Sequence, residues 1–466
     1  MCYRRQVAPE NVSPANLPPW MGAFRDATFL AIPPDVLTEA CWSMFAKPMH
    51  GYGFYPFNCV QNSGSYWYPY SCPELGGRMR GILKDVLAPL GPTLLKLGRA
   101  TPDVAVFESF TSVVMGAPFA MGWNAPPVTF LQRARLDPQV VYEETILRDR
   151  LDGVKVVFAP NCRYLTPTLI AKLREFQARG GILVGDGELL KSLKADVTVS
   201  TVRFAAPPKE DQVAGIEESD PGGNPILSQA RRDTRQAKLS MVANAERLRQ
   251  ALKGCYEARS DSSSADIVVY NRRWRDVDYL VAVNDNRTFG DYVGQWGRMM
   301  EKGLPTEGSV TMRDAQGRIG AVYELSRGGR VSFVREGGMV RVPVSFDTCD
   351  GRLFAFLHEP IASIDVKAGR RGDCIDVRLT VMDAYGRPVS ALLPVEIRIY
   401  DAAGAELDGA GYLAAEGGVA SVSVPCNLDD DPGDYRVVCR DRASLMTAEA
   451  TVPGRCPAQR GGGRIR

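Results

Sequence analysis

Apolar positions in the second quarter of the chain come in short unbroken runs: DVAVFESF (103–110), QVVYEETIL (139–147), KVVFAP (155–160) and GGILVGDGE (180–188). Runs of that length, rich in Val and Ile, predict strands buried on both faces. Between the last two runs, TPTLIAKLREFQARGG predicts a helix entered at Thr166 and left at Gly180. Buried strands alternating with helices predict a parallel sheet of the doubly wound kind. From Ile267 the period changes to two. IVVYNRRW, DYLVAVND, GSVTMRD, IGAVYEL, RVSFVRE, MVRVPVSF and RLFAFLHE predict an antiparallel sandwich over 264–360. SIDVKA, CIDVRLTVMDAYGRPV, VEIRIYDAAG, VASVSVP and GDYRVVCRD predict a second sandwich, immunoglobulin-like, over 361–453.

The first 98 residues carry a different pattern. PDVLTEACWSMFAKP predicts a helix with Pro34 in its first turn and Pro48 as its stop. An aromatic strand, GYGFYPFN (51–58), follows, and then a second helix, PELGGRMRGILKDVLAPLGPTLLKL. Helix, strand, helix is what the last turn of a (β/α)8 barrel leaves when the earlier turns are missing. The segment 205–223 reads as a loop, 226–255 as an arginine-rich helix, SDSSSAD (260–266) as a linker, and 454–466 as a Gly- and Arg-rich disordered tail. The expected fold class is therefore multidomain α/β plus all-β: a partial (β/α)8 barrel remnant (1–98), a parallel α/β domain with its trailing helix (99–258), and two antiparallel β-sandwiches, the last Ig-like.

The 466 residues are room for about three domains on the usual size prior. A net charge of +2 points to neither nucleic acid nor an anionic membrane surface. No apolar stretch approaches the ~20 residues that span a bilayer. The first twenty residues lack the apolar core of a signal peptide. The compartment stays open; an extracellular or periplasmic place would follow if the true N-terminus carries such a signal. Of eleven cysteines none forms a C-x-x-C pair, which speaks against a zinc knuckle. Cys59 with Cys72 and Cys426 with Cys439 are candidate bridges by spacing, with free buried thiols as the alternative.

VAVFESF followed by KVVFAPNCRYLTPTLIAKLREFQARGGILVGDGE resembles the amidotransferase-like (trimerisation) domain of β-galactosidases of glycoside hydrolase family 42. SPANLPPWMGAFRDATFLAIPPDVLTEACWSMFAKPMHGYGFYPFN resembles the end of the barrel that precedes that domain, and PELGGRMRGILKDVLAPLGPTLLKL its exit helix. The resemblance covers residues 12–200. It implies a flavodoxin/class I amidotransferase-like α/β domain that packs subunits into homo-oligomers, trimers in the family, and carbohydrate as the substrate of the barrel part. The two sandwiches resemble accessory β-domains of large glycosidase-like proteins.

Retaining glycosidases need two carboxyl groups about 5 Å apart. In the family one comes from an early barrel strand, and no early strand is present here. Glu10, Asp26, Asp35 and Glu39 are the acids before and within the first helix, and none sits at a strand end. No catalytic residue is assigned. Amidotransferase chemistry needs a Cys activated by a His. The domain 99–258 has no His, its loop thiol Cys162 follows FAPN, and the elbow-like GDGE turn carries no nucleophile. GDGELL follows a strand and, if it opens a helix, its backbone N–H groups could hold an anion. It is not a dinucleotide fingerprint, a tight turn is the plainer alternative, and no cofactor is expected. Asn427 to Asp431 offers oxygen ligands, with a solvated turn as the plainer alternative, so no metal is assigned.

The remaining candidates are aromatic. Tyr52, Tyr55 and Phe57 on the presumed last barrel strand, Tyr66, Trp67 and Tyr68 in the loop after it, and His50 before it form a candidate sugar-binding rim. A hydrophobic plug is the competing role. Two functions stay open: the C-terminal portion of a glycoside hydrolase-like protein that supplies oligomerisation and accessory β domains, and a non-catalytic carbohydrate-binding or scaffold protein.

Overall fold

The computed structural model describes residues 15–17, 20–23, 28–31, 34–48, 52–54, 73–115, 125–200, 225–287, 292–293, 299–300, 303–426 and 433–454. It is a mixed α/β structure; among the described residues it has two parallel sheets, one of five strands and one of two, and several antiparallel ones.

Near the N-terminus the strands Ala15–Leu17 and Tyr52–Phe54 pair in parallel, with the helix Pro34–Phe45 between them in sequence. A hairpin of Trp20–Ala23 and Thr28–Ala31 is inserted before that helix. The helical run that follows is continuous from Pro73 to Lys96 but changes register, with a π-helical stretch at Ile82–Leu87. The change falls just before Pro89, which has no N–H to give. Arg78, Arg80 and Lys84 project from this run into solvent.

The parallel sheet has five strands. Its spatial order is Val197–Thr198, Ile182–Gly185, Val156–Ala159, Val104–Glu108, Gln139–Tyr142. That is the flavodoxin-like 2-1-3-4-5 order read from the other edge. Val104, Val106, Val156 and Phe158 face one core with Ala245, Leu248 and Leu252 of the helix Pro225–Leu252. Phe107, Val157 and Leu183 face the other, against Leu169, Leu173 and Phe176. The helix Pro167–Ala178 begins as read: Thr166 accepts from the Leu169 N–H at 3.3 Å, and the chain leaves through Gly180 at φ +89°. The run 139–147 is not one strand. It breaks at Glu143 into the helix Glu143–Leu147, whose first turn carries Glu143 and Glu144 and whose Thr145 hydroxyl accepts from the Tyr142 N–H. GDGELL is the tight turn, not a helix start. Asp186 takes the N–H groups of Asn161 and Glu188 and holds the segment in a turn.

The first sandwich has a four-stranded sheet and a six-stranded sheet. Two of its strands come from segments without strand character in the sequence. Ser260–Ser262, expected as linker, pairs antiparallel with Thr306–Arg313. Its buried Ser262 hydroxyl bonds the carbonyls of Ser264 and Ile267. Gly98–Arg99, just ahead of the α/β domain, pairs with Arg272 and Arg273. The last module is one continuous seven-stranded sheet, with its first strand, Ile361–Arg371, lying beside its last, Thr447–Val452. The residues expected to form two faces of an Ig-like sandwich thus belong to one curled, nearly closed sheet. Two strands that the alternation did not reveal, Gly411–Glu416 and Thr447–Val452, complete it. Cys426 and Cys439 are free thiols.

A single apolar core joins the N-terminal helices to both β modules. It runs from Leu37, Trp42, Phe45, Leu90 and Leu94 through Tyr279, Val281 and Leu353 to Leu393, Val395 and Val437. Arg272, 1% exposed, fastens it. Its guanidinium donates to the carbonyls of Phe45 (3.2 Å), Ala46 (3.3 Å), Leu94 (3.0 Å), Leu97 and Gly98 (3.1 Å). Two helix C-termini, whose last carbonyls lack intrahelical partners, are thereby capped by one cation.

Candidate functional site

In an open parallel sheet, ligands bind beyond the carboxyl ends of the strands where the strand order reverses. Here that point lies between Val104–Glu108 and Val156–Ala159. The loop after the first strand passes through Ser109 into the short helix Phe110–Val114. The loop after the second runs Pro160 to Thr166.

These two loops are tied to each other. Ser109 caps the short helix by accepting from the Ser112 N–H at 3.1 Å, and its hydroxyl donates to Glu143 Oε1 at 2.8 Å. The Thr111 N–H and hydroxyl hold the same carboxylate at 2.9 and 3.0 Å. The Ser112 hydroxyl donates to the Tyr164 carbonyl at 2.8 Å and accepts from the Tyr164 N–H at 3.0 Å. Ser109, Thr111, Ser112 and Glu143 carried no motif in the sequence; only the Ser109 cap ahead of an apolar run could have hinted at them.

Asn161 follows the strand in a left-handed conformation, φ +53°, and its N–H donates to Asp186 Oδ1 at 3.1 Å. Cys162 comes next and is fully buried, its thiol directed at the Pro160 carbonyl at 3.4 Å. Burial, with the Asp186 and Glu143 carboxylates as lesser causes, pushes this thiol well above the usual cysteine range. A protonated, sealed thiol cannot attack a substrate. Burial likewise raises the Glu108 and Asp186 carboxyls. Arg163 pairs with Glu188 at the rim. Among the described residues the crevice has acids and hydroxyls but no histidine, and its one thiol is sealed. Its outer rim is apolar: Phe110, Val114 and Met115 are 60% exposed or more, and Tyr164 is 43% exposed.

Of the aromatic rim, Tyr52 begins the strand Tyr52–Phe54. His50, Tyr55, Phe57, Tyr66, Trp67 and Tyr68 lie outside the described residues, as do Glu10, Asp26 and the segment 427–431. Asp35 pairs with the exposed Arg78 at 3.2 Å. Glu39 is buried. It accepts from the Ser43 hydroxyl at 2.6 Å and from Arg287 at 3.2 Å. Burial raises its carboxyl, with the neighbouring Asp285 adding to the effect. Arg287 also binds Asp285, which pairs with Arg133, and Arg133 reaches Asp266 at 2.8 Å. Both acids of the first helix are thus spent in ion pairs. That chain of pairs fastens the first helix to the sandwich and the α/β domain.

No protein-family model matches the chain, and no curated protein matches it. Solved structures similar to it include α-L-fucosidase isoenzyme 2 from Paenibacillus thiaminolyticus, at a TM-score of 0.48 and 11% identity over 75% of this chain and 61% of that one. The β-galactosidase from Bacillus circulans sp. alkalophilus is similar at a TM-score of 0.45 and 12% identity, over 76% of this chain and 57% of that one. The β-galactosidase from Rahnella sp. R3 follows at 0.39 and 12%, over 76% and 56%. The chain spans about three fifths of the length of these enzymes.

Proposed function

We propose that the chain is the C-terminal portion of a glycoside hydrolase-like protein acting on carbohydrate, and that it supplies oligomerisation and accessory β domains rather than a catalytic carboxylate pair. One observation carries this reading. The strands Ala15–Leu17 and Tyr52–Phe54 pair in parallel around the helix Pro34–Phe45, and a second helical run follows directly. That strand–helix–strand–helix order is how a (β/α)8 barrel ends, and active sites of such barrels draw on strands from all round the ring. The two strands among the described residues cannot close that ring.

The α/β domain is the oligomerisation element in this reading, a trimer by the habit of the family it resembles. Support comes from its crevice, tied shut around a protonated thiol. The exposed Phe110, Val114, Met115 and Tyr164 beside it give a second chain an apolar surface to cover. Sedimentation equilibrium of the chain and of a Phe110→Asp/Val114→Asp variant tests it. The expected result is a native oligomer that the variant dissociates. A chain that is monomeric at micromolar concentration would remove the oligomerisation role.

A further inference from the structure

A cleft of about 390 Å³ opens between the α/β domain and the first sandwich, on the opposite side of the parallel sheet from the crevice at its carboxyl ends. Thr101, Asp103, Gly153 and Lys155 line it from the α/β domain, at the entry ends of the strands Val104–Glu108 and Val156–Ala159. The sandwich contributes Arg259, Arg273, Asp276, Asp278, Asp314, Arg318 and His358. Small-molecule sites favour domain junctions and have about 300–1,000 Å³.

The chemistry of an occupant follows from which wall groups are already engaged. Three of the four acids, Asp103, Asp278 and Asp314, are held by neighbouring donors. Asp103 accepts from the Tyr256 hydroxyl, and Asp278 pairs with Arg259 at 3.1 Å and Arg273 at 3.8 Å. Asp314 takes the N–H groups of Arg318 (2.7 Å) and Ile319 (3.1 Å) together with Arg335. The fourth, Asp276, lies at the exposed mouth, 3.7 Å from Nδ1 of His358, and pairs with it only when the imidazole carries a proton. The cations are not all engaged. The Lys155 ammonium and the Arg318 guanidinium line the cleft from opposite domains, and neither has a side-chain partner among the described residues. The capacity left in the wall is therefore mostly hydrogen-bond donors carrying positive charge.

We propose that this cleft binds a small organic anion, a carboxylate or sulfate ester, held between Lys155 of the α/β domain and Arg318 of the sandwich, with His358 at the rim. A planar or tetrahedral anion suits these partners, because guanidinium and ammonium groups make their strongest hydrogen bonds to such oxygens. A neutral sugar would leave both cations uncompensated. The site does not depend on the glycoside hydrolase reading, since it is built wholly from residues of these two domains.

The test is a calorimetric titration of the full chain with D-glucuronate, D-glucose and inorganic sulfate, repeated on a Lys155→Gln/Arg318→Gln variant. Both residues are exposed, so the variant should fold, and its circular dichroism checks that it does. Glucuronate is expected to bind in the millimolar range, about tenfold more weakly in the variant and more weakly as salt rises, while glucose does not bind. Absence of glucuronate binding overturns the proposal. So does glucose binding of equal strength, or glucuronate binding that the variant leaves unchanged. Sulfate binding as tight as glucuronate would reduce the cleft to an inorganic-anion site and would also overturn it.

Discussion

The Trp42 indole is seated on Gly351: a Cβ placed on that glycine would overlap the indole ring. Trp42 belongs to the helix Pro34–Phe45 and Gly351 to the buried sandwich strand Gly351–Leu357. The missing side chain lets the helix lie down on the sheet. The N-terminal segment is thus part of the β core rather than an appendage.

That seat gives the first prediction. Gly351→Ala forces the ring or the helix to move, and overpacking a tight core costs about 1–3 kcal/mol. Urea unfolding should show the loss. A variant as stable as the native chain would mean that the helix is not held against this strand.

Arg272 gives a second. Five carbonyls, four of them at or just past helix C-termini, share its guanidinium. Arg272→Met leaves them buried without a donor and should cost about 3 kcal/mol or more. Arg272→Lys should recover only part, because an ammonium lacks the fork that reaches both helices. Thermal unfolding of the two variants side by side measures the difference.

Thiol reactivity gives a third. Burial raises Cys162 far above the usual range and pushes Cys41 and Cys439 up to about 12. Cys255 is exposed. Iodoacetamide at pH 8 should label Cys255 in the native chain and leave those three untouched until denaturant is added, as peptide mapping would show. Glutamine hydrolysis should be absent with or without Cys162→Ser. Rapid native labelling of Cys162, or an activity that Cys162→Ser abolishes, would reopen the amidotransferase chemistry.

Asp186 gives a fourth, in pH. Burial holds its carboxyl above the usual aspartate range, and its Oδ2 has no hydrogen-bond partner. An acid whose folded pKa is raised binds more protons folded than unfolded. Its contribution is therefore full below the unfolded value and is lost as pH rises through the folded one. Asp186→Asn keeps the Oδ1 acceptor for Asn161 and Glu188 and removes the titration. Its stability relative to the native chain should improve between about pH 4 and about pH 7. A difference that stays flat, or moves the other way, would contradict the raised carboxyl.

Four of the five strands of the larger parallel sheet were legible in the sequence because each lies in an apolar run, and the helix Pro167–Ala178 carries both its Thr166 cap and its Gly180 exit; the edge strand Val197–Thr198, two residues long, was not. Likewise the first sandwich announced itself by alternation. What escaped were pairings made by segments with no apolar signal. Ser260–Ser262 is polar and reads as linker, yet its backbone pairs with Thr306–Arg313 and its Ser262 hydroxyl holds the carbonyls of Ser264 and Ile267. Gly98–Arg99 is two residues long and takes its place from Arg272 and Arg273, far along the chain. Curling of the last seven strands into one sheet is a property of their joint pairing, which no single strand's pattern reveals. The interdomain cleft was illegible for the same reason: Lys155 and Arg318 are ordinary surface residues until two domains bring them to one cleft.

The proposal that this chain is the C-terminal portion of a glycoside hydrolase-like protein is tested most directly by sequencing the DNA immediately upstream of the Met1 codon. The account predicts an uninterrupted reading frame that encodes the earlier barrel strands, with a glutamate at the end of an early strand and another at the end of a late one. A stop codon just upstream, with a start signal at Met1, would contradict it and leave a free-standing binding or scaffold protein.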